Sequence, residues 1–192
     1  REVVGAVGYD PVEIRLHIIE QSSQIGGAVS EGGAGDQGIM YGYATSQTTS
    51  GLPYGVELSR ALTDGLEQLR DSGELPWLLS DGKSQVTVRD GKPEVIVVSA
   101  QHDADISLED VRSTLIEKLN LSAPQIHVNP AGAWSTGGFN ADSGLTGRKL
   151  AVDGYGGVLP GGGGSTHGKD NSKVDRSATH KAREVALAII RE

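Results

Sequence analysis

The run Val86-Thr87-Val88-Arg89-Asp90-Gly91-Lys92-Pro93-Glu94-Val95-Ile96-Val97-Val98 decides how the chain folds. Two stretches rich in β-branched residues flank Asp90-Gly91, a dipeptide suited to the tight turn of an antiparallel hairpin. Upstream, Pro53 precedes a helical pattern over 55–72, with Leu58, Leu62, Leu66 and Leu69 on one stripe and Gly73 as its stop. Downstream, Ser107-x-x-Asp110 reads as a capping box opening a helix over 107–120, whose Val111, Leu115, Ile116 and Leu119 face inward. Gln125-Ile126-His127-Val128 is a further short strand. Helix, hairpin, helix and strand make an α+β unit, with the sheet on one side and the helices on the other.

Working outward, residues 1–7 resemble the end of a helix. Val12 to Ile18 alternates apolar and polar residues as a half-buried strand does, with His17 on the polar face. Gln21 to Gly32 is small and polar and reads as a mobile loop, and Ile39 to Ala44 reads as a strand entered through Gly33-Ala-Gly-Asp36-Gln-Gly38. Asp36, a lone acid among glycines, suits a turn more often than a ligand contact. A second part begins near Gly137. It carries Asp142, the pair Arg148-Lys149, an expected strand at 149–152, a glycine-rich stretch, and a helix from about Val174 to Ile190.

The glycine-rich stretch, Gly156 to Ser177, carries the chemistry. Gly161 to Gly164 follow Pro160, and Lys169, Lys173 and Arg176 lie just ahead of or within the start of the helix. Such a loop presents unpaired N–H groups and the positive end of a helix dipole to an anion, and lysines add mobile charge. A polyphosphate is the simplest ligand. Gly163-x-x-x-x-Gly168-Lys169 approaches a P-loop, but Asp170 stands where a magnesium-binding Ser or Thr belongs. A flexible spacer is the plain alternative, and the charged run Gly168 to Ser177 argues against it. Composition narrows the field further. The formal net charge of −8 over 192 residues disfavours nucleic-acid and anionic-membrane partners, and the lack of cysteine excludes disulfides and thiol chemistry. Apolar runs are too short to span a bilayer, so a cytoplasmic location is expected.

Several segments in order carry a family resemblance: Gly33-Ala-Gly-Asp-Gln-Gly-Ile-Met-Tyr-Gly-Tyr-Ala-Thr45, Leu75-Pro-Trp77, Asp81-Gly-Lys-Ser-Gln-Val86, Asn129-Pro130, Asp142-Ser-Gly-Leu-Thr-Gly-Arg-Lys149, the glycine loop, and Lys173-Val-Asp-Arg-Ser177. Together they resemble S-adenosylmethionine synthetase (methionine adenosyltransferase). The resemblance implies three similar α+β subdomains about a pseudo-threefold axis, with sheets packing in a dimer. Residues 1–30 would end the first subdomain and form the active-site gate. Residues 31–135 would be the central subdomain, and 136–192 the start of the third. The implied reaction moves the adenosyl group of ATP to the sulfur of L-methionine and hydrolyses the released tripolyphosphate to pyrophosphate and phosphate. The implied cofactors are Mg2+ and K+, and the implied assembly is a homodimer or a dimer of dimers.

By the same resemblance, Lys169, Arg148 and Lys83 carry the catalytic charge stabilisation. ATP would be held by Asp81, Lys83, Ala133, Trp134, Asp142, Arg148, Lys149, Ser165 and Lys169, with the Trp134 ring on the adenine. Methionine would meet Gln21, Asp142 and Lys173; Asp36 would be a further acid of the site, and Asp175 would lie near a metal. Ala133 replaces the family's usual arginine, and Ser165-Thr166-His167 replaces its Ala-Phe-Ser. His167 is read as a solvated loop residue. The family's opening His-Pro-Asp-Lys segment has no counterpart here, so the chain reads as the middle portion of an enzyme, incomplete or completed by another chain. The rival reading is a non-catalytic nucleotide- or polyphosphate-binding subunit paired with another synthetase chain.

Overall fold

The computed structural model describes residues 2–9 and 12–192. Contacts divide the chain into two compact units, one formed by residues 54–144 and the other by 1–53 together with 145–192.

The 54–144 unit is a two-layer α+β arrangement. Helix α3 (Tyr54–Asp71) leads to strand β1 (Leu78–Arg89), strand β2 (Lys92–His102), helix α4 (Leu108–Lys118) and strand β3 (Gln125–Val128). The strands lie in the order β1-β2-β3, antiparallel between the first two and parallel between the last two. The hairpin turns where expected: Asp90 and Gly91 have φ of 50° and 75°. Ile96, Val98 and Ala100, spaced by two on β2, are buried in one cluster with Leu62 and Leu66 of α3 and Val111 and Leu115 of α4. Both helices therefore pack on one face of the sheet, and β2 lies at its centre. Ser107 caps α4 as expected, its Oγ accepting from the Asp110 N–H at 3.1 Å.

The parallel ladder between β2 and β3 ends at Val98 and Val128. Asn129 continues it by other means. Its main-chain N–H donates to the Val98 carbonyl at 2.9 Å. Its carboxamide then pairs with both polar groups of Ala100, Oδ1 accepting from the N–H at 2.8 Å and Nδ2 donating to the carbonyl at 3.0 Å. Asn129 is 2% exposed with φ of 44°, a conformation that Asn tolerates better than most residues.

The other unit contains α1 (Glu2–Ala6), α2 (Ser23–Ser30), α5 (Leu150–Asp153) and α6 (Val174–Arg191), and no strand among the described residues. The helix end expected over 1–7 is present at Glu2–Ala6, while Arg1 lies outside the described residues. Four expectations are corrected. Residues 12–18 and 39–44 form no strand, because an apolar or alternating run yields a strand only where a partner supplies the ladder. Leu16 and Ile18 are 80% and 87% exposed. Residues 150–153 form a helical turn instead of a strand, closed by the bond from Gly154 N–H to the Leu150 carbonyl at 3.0 Å. The expected loop at 21–32 contains α2, started by Ser22 Oγ accepting from the Ile25 N–H at 3.4 Å. No helix among the described residues is long and apolar enough to cross a membrane.

Asn129→Leu should destabilise the 54–144 unit by about 2–4 kcal/mol, because it leaves two buried main-chain groups of Ala100 unpaired. Urea unfolding followed by circular dichroism checks this; a loss below about 1 kcal/mol would mean that water replaces the carboxamide.

Candidate functional site

Within the 54–144 unit, β1 presents Asp81 and Lys83. The β1–β2 register slips between Leu78 and Gly82. At this irregularity the Asp81 N–H donates to Gln101 Oε1 at 3.3 Å. The Asp81 carboxylate accepts from the Gly138 N–H through Oδ2 at 2.8 Å. Lys83 Nζ lies 5.4 Å from the centroid of the Trp134 ring, within cation–π range. The indole Nε1–H donates to the Thr136 carbonyl at 2.8 Å and fixes the ring at its edge. Three expected residues, Asp81, Lys83 and Trp134, thus converge on one segment. Ala133 is exposed and brings no charge. Asp142 is also exposed, and its Oδ1 accepts from the Gly144 N–H at 3.3 Å, closing its own turn.

Within the other unit, the glycine loop is shaped by what passes beside it. A Cβ at Gly162 would overlap the Ile39 carbonyl, so that segment crosses the loop backbone directly. Gly163 has φ of 75°, and a Cβ there would meet Asp175 Oδ1 at 2.8 Å. Asp175, in the first turn of α6, is nested on the loop. Its Oδ1 accepts from the Gly164 N–H at 2.7 Å, and its Oδ2 accepts from Lys169 Nζ at 2.5 Å. These two contacts, Lys169 first and then Gly164, hold the Asp175 carboxyl below its ordinary pKa.

Lys173, the N-cap of α6, donates through Nζ to Gln21 Oε1 at 2.9 Å. Gln21 and Lys173, both expected at methionine, are brought together across 152 positions of sequence. Ser165 Oγ donates to the His167 carbonyl at 2.9 Å, tightening the loop. Arg148 and Lys149 are exposed where the chain enters α5. Asp36 is exposed and accepts from the adjacent Gln37 N–H at 2.8 Å, as a turn residue does.

His167 is not simply solvated. Its Nδ1 lies 3.2 Å from Asp153 Oδ2, which ties the loop to α5. Arg176 and Arg183 were not anticipated in structural roles either. Arg176 Nη1 donates to the Thr166 carbonyl at 3.1 Å. Arg183 donates to the carbonyls of Tyr43 and Ser50 at 2.9 and 2.8 Å, and stacks 5.9 Å from the Tyr155 ring centroid. Arg176 stood out in the sequence as a cation at the start of the helix, and Arg183 only as one more cation along it.

Because the Asp175 carboxyl has a lowered pKa, its clasp on the loop is complete above the ordinary carboxylate range. It is lost as pH falls through the lowered value. The Gly164 amide shift in NMR should therefore titrate with a midpoint below that of an ordinary aspartate, and Asp175→Asn should abolish the transition. A midpoint in the ordinary range would contradict the clasp.

Residues 31–134 match the central domain of S-adenosylmethionine synthetase, and residues 136–192 match its C-terminal domain. The S-adenosylmethionine synthase of Wolinella succinogenes is 43% identical over 217 aligned positions, covering 99% of this chain and 56% of that protein. That of Helicobacter hepaticus is 47% identical with the same coverage of each. The chain thus spans about half the length of the curated relatives it matches. A solved structure described as an unusual S-adenosylmethionine synthetase from Campylobacter jejuni superposes with a TM-score of 0.75 at 34% identity, over 81% of this chain and 46% of that one. These matches run through both units and take in the hairpin, the Asp81 strand and the glycine loop, so the chain belongs to the S-adenosylmethionine synthetase family.

Proposed function

We propose that this chain serves methionine adenosyl transfer, with ATP and L-methionine as substrates. The observation that carries the reading is the glycine loop, where a main-chain N–H and Lys169 already hold a carboxylate as they would hold a phosphate oxygen. Residues 1–30 are read as the end of a first subdomain with the gate, 31–135 as the central subdomain and 136–192 as the start of the third. The set is read as pseudo-threefold and as pairing through its sheets in a homodimer or a dimer of dimers.

The chemistry asks little of the protein in proton transfer. The thioether sulfur attacks C5′ with a lone pair and has no proton to lose. The S–C5′ bond forms as the C5′–O bond breaks, giving a sulfonium and releasing tripolyphosphate, which takes the bonding electrons. The dominant requirement is positioned positive charge for the leaving group. Lys169, Arg148, Lys149 and Lys83 are assigned this task, and Ser165 helps shape the loop. Asp81, Trp134 and Asp142 are assigned to the nucleotide, with Ala133 beside them lacking the family's arginine charge. Gln21, Lys173 and Asp142 are assigned to methionine. Asp36 is kept as an acid of the site. Water then cleaves tripolyphosphate to pyrophosphate and phosphate.

Magnesium fits in a limited way. One carboxylate beside a phosphate cradle suits an ion held mainly by phosphate oxygens, and Asp175 would be that ligand. No group of three His, Asp or Glu among the described residues makes an all-protein cage. Bound there, the ion would neutralise charge on the polyphosphate. Potassium has no assigned ligand among these residues.

A second reading, a polyphosphate-binding partner of another synthetase chain, is favoured by the exposed Ala133, which gives up charge at the nucleotide. Incubation with ATP, methionine, Mg2+ and K+ separates the two: S-adenosylmethionine above a Lys169→Ala control supports transfer by this chain. No product with retained tripolyphosphate binding supports the partner.

Lys169→Ala should weaken tripolyphosphate binding by about tenfold or more in calorimetry. Lys181→Ala, which removes a lysine paired at 2.7 Å with Glu184, should change it less than about twofold. Equal effects would refute the cradle.

A further inference from the structure

We propose that His102 and Gln101, at the end of β2, are positioning residues that set the Trp134 segment and Asp81 for the nucleotide; this rests on the reading of Trp134 as a nucleotide contact. Both are buried, at 1% and 5% exposure, where an apolar strand end would bury leucine or valine more cheaply. Every polar atom of both side chains is bonded, and each side chain reaches the 134–138 segment. The His102 main-chain N–H donates to the Trp134 carbonyl at 2.9 Å. The Trp134 N–H donates back to the His102 ring at Nε2, 3.1 Å away. His102 thereby takes both main-chain groups of Trp134. The remaining ring nitrogen, Nδ1, lies 2.8 Å from the Asp103 carbonyl.

The proton can be placed from these partners alone. A carbonyl only accepts, so Nδ1 carries the hydrogen; an amide N–H only donates, so Nε2 must be bare. The ring is thus a neutral imidazole of one tautomer, defined on both sides. Gln101 works in parallel. Its Oε1 accepts from the Asp81 N–H left without a ladder partner by the register slip, and its Nε2 donates to the Ser135 carbonyl at 3.0 Å. With Gly138 N–H on Asp81 Oδ2 and the indole on Thr136, residues 134–138 are fixed at every step but one. The Trp134 ring and Lys83 then face each other because the backbone beneath the ring cannot shift.

The test uses the full chain. Nitrogen-15 NMR of the imidazoles, with the His102 signal identified by its loss in His102→Gln, should show a neutral ring protonated at Nδ1. An Nε2-protonated or doubly protonated ring overturns the proposal. In a Trp77→Phe background, Trp134 is the one tryptophan left, and its fluorescence reports the segment. His102→Leu should raise acrylamide quenching of Trp134 about twofold and weaken ATP binding about tenfold. His102→Gln, whose Oε1 can accept from the Trp134 N–H, should restore both toward the parent. A folded His102→Leu protein with parental quenching overturns the proposal. If ATP leaves Trp134 fluorescence unchanged in the Trp77→Phe parent while the tautomer and quenching results hold, the nucleotide reading of Trp134 fails and the positioning role stands.

Discussion

A strand that outlasts its neighbour must find other partners for its main chain, and this constraint governs the 54–144 unit. The β2–β3 ladder ends at Val98, yet β2 continues to His102. Beyond that point β2 keeps β1 on one edge, and its other edge is met by side chains and a loop. Asn129 pairs with Ala100, Gln101 reaches Asp81 and Ser135, and His102 takes Trp134. Unsatisfied, these groups would each cost about 1–3 kcal/mol, so the loop geometry follows from the sheet's need. The apolar layer beneath, centred on Val98, Val111 and Leu115, gives this network a rigid base.

The other unit is held differently. All buried hydrophobic residues among those described lie between Val56 and Val128, so none belongs to it. Its order comes from polar and aromatic contacts made at close range. Tyr155 accepts from the Tyr43 N–H at 3.0 Å and meets the Tyr43 ring edge-on, while Arg183 clamps two carbonyls. Glycines let the backbones approach closely enough for this. A surface held this way tolerates large apolar groups in the open, as at Ile39 and Ile189.

The α+β unit was legible because its signals are local. Asp90-Gly91 sets the turn, the leucine stripe of α3 and the Ser107 cap set the helices, and β3 appears where Gln125 to Val128 predicts it. Residues 12–18, 39–44 and 149–152 were misread because an alternating or short apolar run states what a strand would bury, not whether a partner strand exists. The cationic glycine loop was legible from composition. Its occupation by Asp175 was not, since residues 164, 169 and 175 meet only once the loop has folded back. Gln101 and His102 were passed over for a related reason. Two polar residues ending an apolar run read as a strand meeting solvent, and only the fold shows them buried.

Asp175 gives the glycine loop its own counter-ion. The positive charge of Lys169 is not waiting bare in solvent but is already balanced, with its nearest N–H already bonded. On the proposed reading, a phosphate arriving there would exchange one anion for another. Its affinity measures the difference between two occupants, not the full pull of a lysine and a helix terminus. The loop keeps its shape for the same reason: the resident carboxylate binds the Gly164 N–H and Lys169 at once and serves as their template.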